Sequence, residues 1–330
     1  MSPDGASSRK RVTILATGGT IASKADSSGR VSPAVTGAEL AASIPGLSAV
    51  ADVEVEQFGN RLGLALSLSD FLDITRRVND ILDGDADAVV VAHGTSTLTE
   101  SAYLMDLLLR HDKPAVYTGA MYTASQPDTD GPRNVLNSVR LAADPAAAGR
   151  GALLCFDREI HTARDATKVK SNRIHAFSSG ERGMLGIVDD DAVVFYRSAP
   201  PSPRFRVDRL NERVDLLKVW AGMDERLILA ALDAGSEGLV LESLPGRGSV
   251  SPGTMKGVRE ALRRGIPVVV ASGSTWGRTL PAYGGGSGSK DVAEVGAVLA
   301  GDLSAIKARI LLMVALSAGT PKEKLPELFS

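Results

Sequence analysis

Ala88-Val89-Val90-Val91-Ala92-His93-Gly94-Thr95-Ser96-Thr97 is the stretch on which the reading of the fold turns. Five apolar residues in a row, without polar alternation, describe a strand covered on both faces, as in a parallel sheet. Glycine then interrupts the strand. Thr97 and Glu100 have the spacing of a capping box, and Leu98, Ala102, Met105 and Leu109 follow at helical period. A strand that runs through a short turn into a helix is half of a parallel βα unit.

The same alternation extends in both directions. Val12–Ala16, Ala115–Thr118 and Gly151–Phe156 are further short apolar strands. Ser69 is placed to cap a helix with Phe71, Ile74, Val78 and Ile81 on one face, and Pro132 suits the first turn of another ahead of Val135, Val139 and Ala142. Tyr196–Asn211, with Pro200, Pro201 and Pro203, breaks the pattern and reads as a connector. Beyond it the pattern resumes, with helices near Arg226–Ala234, Thr254–Arg264 and Ser304–Leu316, and strands at Gly238–Leu241 and Ile266–Ala271. Gly284–Gly288 reads as a flexible surface loop, not a phosphate cradle, because no helix start is expected directly after it. The expected organisation is a polar tail over 1–11, an N-terminal α/β catalytic domain over 12–196, a proline-rich linker over 197–214 and a C-terminal α/β domain over 215–330.

Composition narrows the function classes. With 37 basic and 39 acidic residues in 330, the net charge of −2 offers no basic surface for nucleic acid. No apolar run approaches the roughly 20 residues of a membrane span. The N-terminal stretch is polar, ends in Arg9-Lys10-Arg11 and has no apolar core, so it does not read as a signal peptide. A lone Cys155 forbids an intrachain disulfide, and four scattered histidines make a zinc site unfavourable. The expectation is a soluble, cytoplasmic α/β protein without a metal or nucleic-acid partner.

Ligands of parallel sheets bind outside the carboxyl ends of the strands. The first strand ends in Thr17-Gly18-Gly19-Thr20, where two glycines let backbone N–H groups approach a ligand and leave Thr20 as a presented hydroxyl. The same residues also read as a plain tight turn with a threonine cap. At the second strand end, Thr95 and Ser96 stand beside free backbone donors at a positive helix terminus, suited to an oxyanion, or else merely compete to cap the helix. His93 reads as a structural histidine, with a base role as the weaker alternative. In Arg164-Asp165-Ala166-Thr167-Lys168, the lysine is either part of a solvated charge run or a buried amine. Its pKa would then fall from about 10.4 toward 7–8, where it serves as a base for a hydroxyl.

Taken in order, these segments resemble the bacterial-type L-asparaginase/glutaminase family. The resemblance runs through Ile14–Ala22, Val91–Thr95, Thr118-Gly119-Ala120-Met121, Asp130-Gly131-Pro132-Arg133-Asn134 and Arg164–Lys168. It continues to Gly301-Asp302-Leu303-Ser304 with Lys307-Ala308-Arg309, and spans about residues 12–320. It implies a larger N-terminal mainly parallel sheet domain and a smaller C-terminal parallel α/β domain. It further implies side-chain amide hydrolysis of asparagine, sometimes glutamine, through an acyl-enzyme and without a cofactor. The active site would lie near the interface of a homodimer or homotetramer. By position, Thr20 would be the attacking threonine, and Thr95 and Lys168 the second threonine and its lysine. Gly19, Gly63, Leu64, Gly94, Ser96 and Ala120 would line the substrate.

This chain departs from the family pattern in the grip on a free amino acid. The family's aspartate after the second threonine, which binds the substrate ammonium, is Ser96 here. Its serine and glutamine for the α-carboxylate and amino group fall at Gly63 and Leu64, with Asn60, Arg61 or Arg30 as stand-ins. The mobile-loop tyrosine is missing from Lys24–Thr36, and the residue reaching in from a partner subunit falls at Ser249. A desolvated ammonium without a counter-charge is costly, and lost polar partners reduce discrimination by about 10⁴-fold. Three readings follow: an asparaginase with relocated contacts, an amidohydrolase for a related, less polar amide, and a non-catalytic or acyl-transferring relative in a specialised pathway.

Overall fold

The computed structural model describes residues 9–329, so most of the expected polar tail lies outside the described residues. Two compact units divide between Ser202 and Pro203. The strands of the first unit are β1 (Arg11–Gly18), β2 (Ser23–Ala25), β3 (Val31–Pro33), β4 (Asp52–Arg61), β5 (Ala88–Ala92), β6 (Ala115–Thr118), β7 (Ala152–Phe156), β8 (Glu159–Thr162), β9 (Thr167–Lys168), β10 (Phe177–Ser178), β11 (Gly186–Val188) and β12 (Val193–Phe195). Its helices are α1 (Gly37–Ala42), α2 (Leu47–Val50), α3 (Leu68–Asp83), α4 (Leu98–Leu108) and α5 (Gly131–Ala143). Eight strands form one sheet in the order β12-β11-β8-β7-β6-β5-β1-β4, parallel from β4 to β7 and antiparallel from β7 to β12.

Each central strand feeds two cores, which explains its unbroken apolar sequence. Val90 and Ala92 join Ile14, Val116, Leu153 and Cys155 against Val135 and Val139 of α5. Val89 and Val91 join Leu15, Tyr117 and Leu154 on the opposite face, against Ile74 and Val78 of α3 and Leu98 and Met105 of α4. Fully burying one such aliphatic side chain stabilises the fold by about 1.5–3 kcal/mol. Cys155 belongs to this core, and burial pushes its thiol up to about 12, away from reactivity.

Two caps differ from the sequence expectation. Helix α3 starts at Leu68, and Ser67 caps it: Asp70 N donates to Ser67 Oγ at 3.2 Å and Ser67 N donates to the Asp70 carboxylate at 2.8 Å. Ser69 therefore lies inside the first turn. At α4, Thr97 holds the cap position, but its hydroxyl donates to Gly63 O at 3.0 Å and no capping box forms. The expected linker also starts later than residue 197. Arg197 Nη2 donates to Asp165 Oδ2 at 3.2 Å and Ser202 Oγ donates to Asp106, both within the first unit.

The second unit holds a parallel sheet in the order β13 (Val214–Lys218), β14 (Gly238–Glu242), β15 (Val268–Ala271) and β16 (Val298–Leu299). Around it lie α6 (Arg226–Asp233), α7 (Pro252–Arg263), α8 (Ser289–Glu294), α9 (Ala305–Ser317) and α10 (Leu325–Leu328). Helix α8 begins directly after Gly284–Gly288, contrary to the sequence reading. Its first turn is occupied by the chain's own Asp291, which accepts from Gly288 N at 2.9 Å. Among the described residues no helix is long and apolar enough to cross a membrane.

His93 closes the core beneath β5. It is fully buried, 6.0 Å from the Phe71 ring and 5.8 Å from that of Tyr117, and its Nδ1–H donates to Gly94 O at 2.9 Å. Burial lowers its pKa to about 4, so it is neutral at physiological pH and serves as a structural donor. Because the unfolded chain takes up this proton near pH 6.5 and the folded chain does not, stability falls as pH drops from about 6.5 to 4. The full effect is about 3 kcal/mol. Denaturant titrations of wild type and His93→Gln across that range check this. The wild-type slope is expected to exceed the variant's, and equal slopes would show that His93 is charged in the folded state.

Candidate active site

Strand order reverses at β1, which has β4 on one side and β5 on the other. The carboxyl ends of β1 and β5, where the chain leaves in opposite directions, are thus the switch point at which parallel sheets bind ligands. Three backbone segments converge there. Gly18 and Gly19 have φ of 108° and 89°, a conformation that favours glycine, and Gly19 N donates to Arg61 O at 2.8 Å. A Cβ on Gly19 would lie 2.4 Å from Gly94 Cα, and one on Gly94 would lie 2.6 Å from Gly63 N. No side chain fits at either contact. Backbone touching backbone thus joins the loop of Thr20, the loop of Thr95 and Ser96, and the 3₁₀ turn Gly63–Ala65.

Thr20 opens a 3₁₀ turn, half-buried, and its hydroxyl has no hydrogen-bond partner among the described residues. The turn is held by Ser23 Oγ donating to Gly19 O at 2.8 Å. Thr95 is buried, and its Oγ1 accepts from Lys168 Nζ at 2.8 Å across 73 positions of sequence. Lys168 is half-buried on β9, paired with Phe177 of β10, and desolvation lowers its pKa from the ordinary lysine value. A lysine so shifted is easier to reach in its neutral form, and a neutral amine hydrogen-bonded to a hydroxyl is a base–hydroxyl pair.

The loop after β6 forms a further wall. Asp130 is buried and accepts from Met121 N at 3.0 Å, Tyr122 N at 2.9 Å and Asn134 Nδ2 at 3.0 Å, while Asn134 Nδ2 also donates to Gly119 O at 2.9 Å. These two side chains fix the backbone on both sides of the buried Ala120. Gly119 permits the approach, since a Cβ there would lie 2.5 Å from His93 O and 3.2 Å from Thr95 Cγ2. The Asp-Gly-Pro-Arg-Asn motif marked this segment in sequence, but its bracing of the Ala120 loop required the fold. Tyr122, on the same loop, lies in no motif of the sequence. Its loop is stitched to β2, directly after Thr20, through Ala124 N to Ser23 O at 3.0 Å and Ala25 N to Ser125 Oγ at 3.3 Å.

Ser96, Gly63 and Leu64, expected to line the substrate, lie together and carry no charge. Ser96 is exposed, and its Oγ would lie 2.9 Å from a Cβ on Gly63. Leu64, next in the turn, is 76% exposed. Arg61 is exposed but engaged: its Nη1 donates to Asp70 Oδ2 at 3.2 Å, and this pairing holds the Asp70 carboxyl down at about 2. Asn60 and Arg30 are exposed, whereas Ser249 lies in the second unit, where its carbonyl accepts from Leu244 N at 3.2 Å. No group of three or more His, Cys, Asp or Glu among the described residues is arranged to hold a metal.

Residues 11–201 match the family model described as asparaginase, N-terminal, and residues 213–329 match the glutaminase/asparaginase C-terminal domain. An L-asparaginase of Bacillus licheniformis is 33% identical over 94% of this chain and 96% of its own. A probable L-asparaginase of Deinococcus radiodurans is 35% identical over 97% of both chains. The crystal structure of a probable cytoplasmic L-asparaginase from Campylobacter jejuni superposes with a TM-score of 0.88 at 29% identity, covering 97% of this chain and 99% of that one. The two-unit α/β architecture and both family models agree: this chain belongs to the asparaginase/glutaminase family.

Proposed function

We propose that the protein is an amidohydrolase that cleaves the side-chain amide of L-asparagine or a related, less polar amide through a threonine-bound acyl-enzyme. The observation that carries this reading is the 2.8 Å contact between Lys168 Nζ and Thr95 Oγ1 at the switch point of the sheet. Thr20 Oγ attacks the amide carbon and its proton leaves with the departing ammonia. Water then attacks the ester on Thr20. As it does so, Thr95 Oγ1 takes the water's proton and passes its own to neutral Lys168. The adduct then collapses: the bond from the acyl carbon to Thr20 Oγ breaks, the Lys168 ammonium returns the proton through Thr95 to Thr20 Oγ, and the acid departs with Lys168 neutral again. Backbone N–H groups at the start of α4 suit the oxyanion that forms in both steps. Family membership extends the proposal to a homodimer or homotetramer. Retention of the hydroxyl–lysine pair speaks against a non-catalytic role.

The rim favours the less polar amide. A zwitterion needs an anion for its ammonium, and the Ser96–Gly63–Leu64 rim carries no charge. Ammonia release from L-asparagine, L-glutamine and a simple aliphatic amide separates the cases. Turnover of the plain amide without L-asparagine supports the altered rim, fast L-asparagine turnover places the amino-acid contacts elsewhere, and silence on all three contradicts the hydrolase reading.

Three variants test the roles. Thr20→Val is expected to lose at least about 10³-fold in kcat with an unchanged circular-dichroism melt, and retained turnover removes Thr20 as nucleophile. In wild type, kcat rises with pH as Lys168 loses its proton, at a pH below the usual lysine value. Lys168→Met is expected to abolish that rise, and a persisting rise assigns it to another group. Ser96→Asp restores a counter-charge and is expected to raise kcat/KM for L-asparagine about tenfold, the yield of one hydrogen bond to a charged group. No gain in the folded variant would show that Ser96 does not face the ammonium.

A further inference from the structure

The hairpin that carries Lys168 is too small to hold itself. Strands β9 and β10 contribute two residues each, and an isolated two-stranded pair is marginal in water. Its position must come from what it rests on. On the β9 side, Ala166 N donates to Thr162 O at 3.0 Å and Asp165 N to Thr162 Oγ1 at 3.0 Å, fastening the entry to the end of β8. On the β10 side, the Phe177 ring lies 4.7 Å from that of Phe156, at the end of β7.

Polar contacts bracket β10 at both ends. Two residues before Phe177, His175 Nδ1 lies 3.4 Å from Asp157 Oδ2 and 3.9 Å from Glu159 Oε1. Two residues after it, the buried Ser179 Oγ is hydrogen-bonded to His161 Nδ1 at 2.8 Å. His161 is 1% exposed, and its Nε2 lies 3.2 Å from Glu159 Oε2, off the line of a good hydrogen bond. Glu159 and His161 share one face of β8, while Ile160 points into the core on the other side. The short run Asp157–His161 thus ties both ends of the strand opposite Lys168. An apolar pair would satisfy stability at this depth, whereas hydrogen bonds add direction. A displacement of about 1 Å at a reacting group costs about 10²-fold in rate.

We propose that Ser179, His161 and Glu159 form a strut that sets the position of Lys168 against Thr95, with His161 as a positioning residue for the reaction. The proposal deepens the amidohydrolase reading and rests on it for its kinetic consequence. A loosened hairpin admits water to Nζ, which favours the ammonium form and misplaces the base.

The test uses the full chain and the variants His161→Leu, His161→Asn and Ser179→Ala. Lys168 is titrated by NMR of ¹³Cε-labelled lysine, assigned by its disappearance in Lys168→Met, and kcat and KM are measured on the amide that wild type hydrolyses. H161L and S179A are expected to move the Lys168 pKa up toward about 10.4. They are also expected to lower kcat about 10-fold or more, with KM within about twofold. H161N, which keeps a hydrogen-bonding amide near the Nδ1 position, is expected to recover most of both. S179A removes one oxygen and serves should H161L not fold. Wild-type Lys168 pKa and kcat in folded S179A, or H161N behaving as H161L, would overturn the strut. Because the titration needs no substrate, a wild type that hydrolyses no amide defeats the proposed reaction without deciding the titration result.

Discussion

Contact of backbone on backbone at Gly19, Gly94 and Gly63 is the constraint on which the candidate site depends. A sheet whose order reverses at β1 has its switch point there, but a switch point alone brings no groups together. With a Cβ on Gly19 only 2.4 Å from Gly94 Cα, the loops after β1 and β5 can approach this far only without side chains. Thr20 is the next residue on one loop and Thr95 the next on the other. The third partner, the turn at Gly63, is locked by Thr97 Oγ1 and carries Leu64 to the rim.

Around that contact the chain separates two jobs. The amine of Lys168 is withdrawn from water beside Thr95 Oγ1, an arrangement that costs stability if charged and is comfortable if neutral. The rim, in contrast, has lost charge where the family pattern places an aspartate. An aspartate at the position of Ser96 would favour the protonated lysine as well as a substrate ammonium. On the proposed reading, Ser96 in that place eases deprotonation of Lys168 and weakens the hold on a zwitterion in one step. The Thr95–Lys168 pair beside the uncharged Ser96, Gly63 and Leu64 is the physical basis of the proposal that the substrate is a less polar amide.

Much of the fold was legible because buried parallel strands are apolar at every position, as β5 and β7 show. Several of the strands that escaped violate this or are very short. β4 alternates Val53 and Val55 inward with Glu54 and Glu56 at the sheet edge, and β9 and β10 are two residues long. The caps escaped for another reason. Thr97 and Ser67 both carry a hydroxyl of the right type, and only the position of Gly63 decides that Thr97 serves the turn and not its own helix. Motif order disclosed the residue types at the site, but the meeting of Thr95 with Lys168 is a property of the β9–β10 hairpin, and the bracing of Ala120 by Asp130 and Asn134 depends on where α5 begins. Ser179 and His161 gave no sequence signal, since a lone serine and a lone histidine carry no spacing.

The proposed reaction requires a covalent intermediate on Thr20. Rapid acid quench of the full-length protein during turnover of an amide, followed by peptide mass spectrometry, reads it directly. An acyl adduct on the peptide containing Thr20, present in wild type, enriched in Lys168→Met and absent from Thr20→Val, is the expected result. Turnover with no adduct on any residue, or with the adduct on a residue other than Thr20, would contradict it.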